Sequence, residues 1–150
     1  MNPSIFHLSF PVRDIESTKE FYVSGLGCGI VRQSAVAIML NFHGHQIVAQ
    51  VTEDLGPPQE KIYPRHFGLV CQTEEEWTEL RDRAKENQLT FFREPQRRFT
   101  GKPIEHLSFF LKDSSHNLLE FKYYLHDTAI FGEQDFSQIG DAHERPGSKA

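Results

Sequence analysis

Two histidines and a glutamate, His7, His66 and Glu120, stand out among the side chains able to do chemistry. His7 lies in Ile5-Phe6-His7-Leu8-Ser9-Phe10-Pro11-Val12, an alternating run in which Phe6, Leu8, Phe10 and Val12 share one face and His7 and Ser9 the other. Glu120 lies in the aromatic-rich run Leu118-Leu119-Glu120-Phe121-Lys122-Tyr123-Tyr124, on the side of Leu118, Lys122 and Tyr124. A carboxylate in mid-strand is either on a wet face or buried with a partner, because an unpaired buried charge is costly or is neutralised by a pKa shift. Two imidazoles and one carboxylate drawn onto a common cavity form a facial triad, which holds a metal on one side and leaves positions open for water, substrate or dioxygen. Fe(II), Mn(II), Zn(II) and Co(II) all suit such a set, and donor types alone do not choose among them. Taken singly, each residue has a plainer reading: a hydrogen-bonded structural histidine, or a glutamate in water.

What would bring three such distant residues together is the order of the elements, and that order occurs twice. In the first half, the His7 strand is followed by Asp14 as helix N-cap and by Ile15, Thr18, Lys19, Phe21 and Tyr22 at helical spacing, ending at Gly25 and Gly27. Strands are expected at Cys28 to Arg32, Ala35 to Phe42 and Gln46 to Val51, the last two joined by a tight His43-Gly44 turn. Thr52 to Pro64, with Gly56-Pro57-Pro58, reads as a linker. The second half repeats the pattern: a strand at Arg65 to Cys71, a helix from Thr73 to about Asn87 carrying Trp77, Leu80 and Ala84, and a strand at Leu89 to Arg93. A loop from Glu94 to Pro103 follows, then the hairpin of Ile104 to Lys112 and Leu118 to Tyr124 across the turn Asp113-Ser114-Ser115-His116-Asn117. Laying His7-Leu8-Ser9-Phe10 on His66-Phe67-Gly68-Leu69 sets histidine on histidine, and a similar overlay of the closing strands sets Ala49 on Glu120. The predicted fold is α+β: two tandem βαβββ modules, about 4–52 and 65–124 with linker 53–64, forming a curved mixed sheet around a metal-containing cavity. Residues 125–150 form an extension whose Ile130, Phe131 and Phe136 are expected to pack on the body, with 140–150 polar and mobile.

The remaining composition bounds the function. A net charge of −5 gives no reason to expect nucleic acid or an anionic membrane as partner, so a small molecule is the expected ligand. There is no apolar run long enough to span a bilayer. Met1-Asn2-Pro3-Ser4 runs straight into the first strand without the pattern of a secretory leader, and Cys28 and Cys71 form no C-x-x-C motif, so a reducing cytoplasm is the expected compartment.

The paired modules, with Phe6-His7-Leu8-Ser9-Phe10-Pro11-Val12-Arg13-Asp14, Phe21-Tyr22, Gly25-Leu26-Gly27 and His116-Asn117-Leu118-Leu119-Glu120-Phe121, resemble the vicinal oxygen chelate superfamily over roughly residues 4 to 124. That group includes glyoxalase I, extradiol ring-cleaving dioxygenases, and fosfomycin- and bleomycin-resistance proteins. The resemblance implies a divalent metal on His7, His66 and Glu120. Glyoxalase I has a fourth ligand, a glutamate in the last strand of the first module, where the overlay puts Ala49. Three ligands favour an extradiol dioxygenase type with Fe(II), acting on a small catechol-like substrate. The alternatives are an isomerase, lyase or thiol transferase using Zn(II), Mn(II), Ni(II) or Co(II), and a non-catalytic binder of the resistance type. Extradiol enzymes add a histidine acid/base and a tyrosine ten residues before the glutamate; here that position is Phe110. His106, which by alternation with Ser108 and Phe110 faces the cavity, is the candidate acid/base, and Tyr124 is a candidate phenol. Arg97 and Arg98, with Lys102 nearby, are placed in the loop before the second hairpin, as solvated charges or as a clamp for a substrate carboxylate. His45 and His116 fall in turns and are expected to be solvated. The triad either closes within one chain or is shared across a homodimer.

Overall fold

The computed structural model describes residues 3–141, so the expected mobile end lies largely outside the described residues. The strands are β1 (His7–Val12), β2 (Gly29–Gln33), β3 (Ala37–Phe42), β4 (His45–Val51), β5 (Phe67–Val70), β6 (Thr90–Arg98), β7 (His106–Lys112) and β8 (Leu118–Tyr124). The helices are α1 (Ile15–Lys19), continued by a wider π-type segment at Glu20–Gly25, α2 (Glu74–Glu86) and α3 (Thr128–Phe131). They make two four-stranded mixed sheets, β1-β4-β3-β2 and β5-β8-β7-β6, the layout expected of tandem βαβββ modules. In each sheet the first strand runs parallel to the last and the other pairs are antiparallel. No helix among the described residues is long and apolar enough to cross a membrane.

The chain divides into two compact units. Of the described residues, the first takes those up to Pro58 together with Arg83–Leu89 and Asp113–Asn117; the second takes Gln59–Asp82, Thr90–Lys112 and those from Leu118 onward. In the first unit Asp14 caps α1, accepting from the Ser17 amide at 2.6 Å. Phe10, Val12, Tyr22, Ile38, Leu40 and Ile47 are buried, but Phe6, assigned by alternation to the same apolar stripe, is exposed. The β3–β4 turn places His43 and Gly44 at positive φ (52° and 89°), the geometry that a two-residue hairpin needs to match strand twist. The turn before β8 closes around a buried carboxylate. Asp113 accepts from the Tyr22 hydroxyl (2.8 Å), the Ser115 and Asn117 amides (both 2.8 Å) and the Asn117 side chain (2.9 Å). Burial, then the charge and hydrogen bond of Asp113, push the Tyr22 phenol well above its ordinary pKa, so it stays a donor. Burial likewise pushes both free thiols up to about 12, Cys28 in the first unit and Cys71 in the second.

In the second unit Phe109 lies between Trp77 and Phe91, each with ring centroids 5.5 Å away, and stacks on Phe121. The Trp77 indole N–H donates to the Phe121 carbonyl at 2.9 Å, tying α2 to β8. Gly68 on β5 pairs with Glu120 on β8, and a Cβ at position 68 would overlap the Glu120 backbone carbonyl. Gly68→Ala is therefore expected to lower stability by about 3 kcal/mol or more through forced separation of the strands, measured by chemical denaturation.

Two sequence expectations change. The stretch expected to be a loop from Glu94 continues as strand to Arg98. Pro95 is accommodated because β6 is an edge strand whose register shifts between Phe91 and Arg93 and again between Arg93 and Gln96. The register also corrects the overlay of the two halves. Ser9 pairs with Val48 and Gly68 with Glu120. With His7 matched to His66, the counterpart of Glu120 is therefore Val48 rather than Ala49; valine is equally unable to ligate.

Candidate functional site

The chemistry-bearing side chains of the second unit converge on a cavity of about 490 Å³. His66, immediately before β5, His106 at the start of β7, and Glu120, Lys122 and Tyr124 along one face of β8 all line it. The two-residue period of β8 explains why Glu120, Lys122 and Tyr124 share that face, while Phe121 points into the core.

Local bonds orient the pair at its centre. The His66 Nδ1–H donates to the Ile62 carbonyl at 2.7 Å, which leaves Nε2 facing the cavity, 3.3 Å from a Glu120 carboxylate oxygen. A nitrogen lone pair and an anionic oxygen at that separation repel unless a cation, either a proton or a metal, lies between them. The other Glu120 oxygen accepts from Ser108 on β7 at 2.7 Å. Burial is the largest influence on Glu120 and opposes its charge. With a proton on Nε2, the His66 hydrogen bond, the Lys122 charge and the Ser108 hydrogen bond together overcome it and hold the carboxyl down at about 2. Lys122 Nζ sits 3.8 Å from Glu120 and over the Tyr124 ring. Burial is the largest influence on Lys122 and works against its charge, but the Glu120 carboxylate together with Tyr124 and Tyr63 overcomes it, and its pKa is raised. An imidazole fixed through its far nitrogen to a carbonyl, beside a carboxylate fixed by a hydroxyl, is the support that metal ligands need. These two residues fit a divalent metal.

His106 is buried; its Nδ1–H donates to the Ile104 carbonyl at 3.0 Å. Its Nε2 is buried and has no hydrogen-bond partner. Burial, chiefly, lowers its pKa and keeps it neutral. The rings of His106 and Tyr124 are 4.9 Å apart. Phe110 is buried with its edge against the His66 ring, centroids 5.0 Å apart. Arg97 and Arg98 separate: Arg98 lines the cavity and is buried, whereas Arg97 is bound to Glu105 at 2.7 Å, with its side chain 45% exposed.

His7 lies in the first unit, exposed on β1, with Nδ1 2.8 Å from the Gln46 side-chain oxygen. Among the described residues no three His, Cys, Asp or Glu side chains come together as a metal site. His45 is not simply solvated: its ring nitrogen accepts from the Phe6 amide at 3.2 Å. His116, at φ 69°, lies beside the Arg13 guanidinium.

Sequence reasoning passed over Ser108, Lys122 and the wall supplied by the extension. The first two were within reach, since alternation puts Ser108 with His106 and Lys122 with Glu120. Nothing in the sequence signalled that Ile130, Phe136 and Ile139 would line this cavity.

The Glyoxalase/Bleomycin resistance protein/Dioxygenase superfamily model matches residues 4–121. A glyoxalase/bleomycin resistance protein/dioxygenase from Alicyclobacillus acidocaldarius is 38% identical, with a TM-score of 0.81 over 85% of this chain and 96% of that one. The fosfomycin resistance protein FosX from Listeria monocytogenes has the same fold at 19% identity (TM-score 0.66, 86% of this chain and 99% of that one). So does a glyoxalase-related enzyme from Fulvimarina pelagi at 17% identity (TM-score 0.60, 80% and 87%). No curated protein matches the chain.

Proposed function

Because the chain belongs to the Glyoxalase/Bleomycin resistance protein/Dioxygenase superfamily, we propose that it is a divalent-metal enzyme acting on a small substrate with two vicinal oxygens. Its ligands are His66 and Glu120 of one chain and His7 of a second copy. The observation that carries this reading is the His66–Glu120 pair, oriented by Ile62 and Ser108 toward a cavity and in need of a cation between them. His7 is exposed on β1, and among the described residues it joins no cluster of three potential ligands. Ile5, Phe6, Ile30, Val31 and Val36 of the same unit are exposed apolar residues suited to covering by a partner. Family members are commonly metal-dependent and often dimeric, which supports the same reading.

A metal held there would supply Lewis acidity that eases ionisation of the substrate oxygens and, as Fe(II), electrons for dioxygen. His106 then acts as the base: neutral, on the cavity wall, with a buried Nε2 that has no other hydrogen-bond partner, it accepts a hydroxyl proton from the substrate. Tyr124, beside it, and Lys122 steer anionic oxygens. Extradiol-type cleavage of a catechol-like substrate is the reaction that a two-histidine, one-carboxylate set with a histidine base supports. One observation favours a second reading, a redox-neutral isomerase, lyase or thiol transferase on Zn(II), Mn(II), Ni(II) or Co(II). Phe110, buried against His66, offers no hydroxyl at the position where extradiol enzymes have tyrosine.

A mixing experiment tests the shared site. His7→Ala and Glu120→Gln proteins are each expected to retain no metal in equilibrium dialysis. Unfolded together and refolded, they should recover about a quarter of the wild-type capacity, because half the dimers are mixed and each mixed dimer has one intact site. No recovery, with both variants folded and dimeric, rejects the shared triad. Oxygen uptake by anaerobically Fe(II)-loaded protein on a catechol panel then separates the two chemistries.

A further inference from the structure

Arg98 ends β6 and is 7% exposed, its guanidinium over the Phe99 ring at 5.5 Å. A buried guanidinium needs a counterion, and this one draws it from far along the chain. The carboxylate of Asp141 pairs with Arg98 and lies 3.9 Å from Arg93. Asp141 falls beyond the residues matched by the family and beyond both sheets. The segment that delivers it follows β8. It contains one helix of four residues and leaves Phe131 exposed, while Ile130, Phe136 and Ile139 border the cavity. Gly140, at φ 66°, makes the final turn at a point where a Cβ would overlap the Tyr63 hydroxyl, and the Asp141 amide donates to that hydroxyl at 3.3 Å. Thus a carboxylate carried on a thin strap reaches a buried cation on the wall of the same cavity that holds His66, His106 and Glu120.

We propose that Arg98 is an anion-binding anchor of this cavity, and that Asp141 is its exchangeable internal occupant, displaced when a ligand with a compact oxyanionic group, carboxylate or phosphoryl, enters. The proposal rests on the reading of this cavity as the substrate site and adds the class of ligand that it selects. Arg98 offers a planar fork of donors suited to two oxygens of one anion. An entering anion leaves no buried charge unpaired, because it replaces one counterion with another. The tethered carboxylate competes at the high effective concentration of an intramolecular partner, so the intact chain binds free anions weakly. The strap therefore sets an affinity threshold: an anionic group alone is held poorly, and one that also contacts the rest of the cavity is held well.

The test uses full-length protein freed of metal with chelator, so that it reads the anchor independently of the metal site. Inorganic phosphate and benzoate are titrated calorimetrically into wild type, Asp141→Asn and the double variant Arg98→Gln/Asp141→Asn. The expected result is that Asp141→Asn binds one or both probes about tenfold more tightly than wild type, and that the gain disappears in the double variant. Asp141→Ala should reproduce the gain, which guards against misfolding of a single substitution. Unchanged or weaker binding in both Asp141 variants overturns the exchange. A gain that survives the loss of Arg98 overturns the anchor. Metal retention measured on the same proteins is expected to be unaltered, so a failure here is separate from a failure of the metal site.

Discussion

Glu120→Gln is expected to fold and to lose divalent-metal affinity by at least a hundredfold, read by equilibrium dialysis and elemental analysis. The substitution keeps the shape of the side chain and its neighbours on β8, so the pairing with Gly68 is retained. It removes the anionic oxygen that faces His66 across 3.3 Å and replaces it with a neutral amide. Loss of a residue that merely supports a ligand costs about 10- to 100-fold in affinity, and loss of the ligand itself should exceed that. Ser108→Ala supplies the calibration. It removes only the hydroxyl that donates to the second Glu120 oxygen, so a drop of about tenfold is expected. If Glu120→Gln and wild type bind Mn(II), Fe(II) and Zn(II) alike, Glu120 is not a ligand.

The second large effect is on stability and lies in the first unit. Asp113→Ala is expected to destabilise the protein by about 3–5 kcal/mol, lowering the thermal midpoint by about 10 °C or more. The carboxylate accepts four hydrogen bonds in the turn before β8, from one phenol, one amide side chain and two backbone N–H groups. Removing it strands a fully buried tyrosine hydroxyl and two amides of a tight turn at once. Tyr22→Phe, which removes a single donor, should cost about 1 kcal/mol. Equal effects of the two substitutions would mean that the backbone bonds contribute nothing to holding the turn.

Much of this was legible in the residues. Apolar runs, turn residues and the repeated element order located seven of the strands to within a few residues, and the His43-Gly44 turn had the residues that its positive φ angles favour. Alternation on β7 and β8 placed His106, Glu120 and Tyr124 on the cavity side. Where reading failed, a non-local contact was the cause. Pro95 looked like a loop because a proline interrupts the ladder, yet bulges on an edge strand absorb it, and so Arg98 acquired a fixed, buried position that a loop would not give. The orientation of His66 depends on the Ile62 carbonyl, which no periodicity reveals. The extension has no repeat of its own, and its place on the cavity wall is set by distant contacts, among them the Arg98–Asp141 ion pair.

The bulged strand has a consequence for how chains can meet. β6 and β2 sit at the corresponding outer edges of their sheets. An open edge is a template for another strand, and proline, bulges and charge are what natural sheets use to spoil it. β6 has all three: Pro95, two register shifts, and arginines at 93, 97 and 98. β2 has a single shift, no proline, one arginine at 32, and exposed Ile30 and Val31. Of these two edges β6 is therefore the better guarded against edge-to-edge polymerisation, and under destabilising conditions β2 should seed aggregates before β6 does.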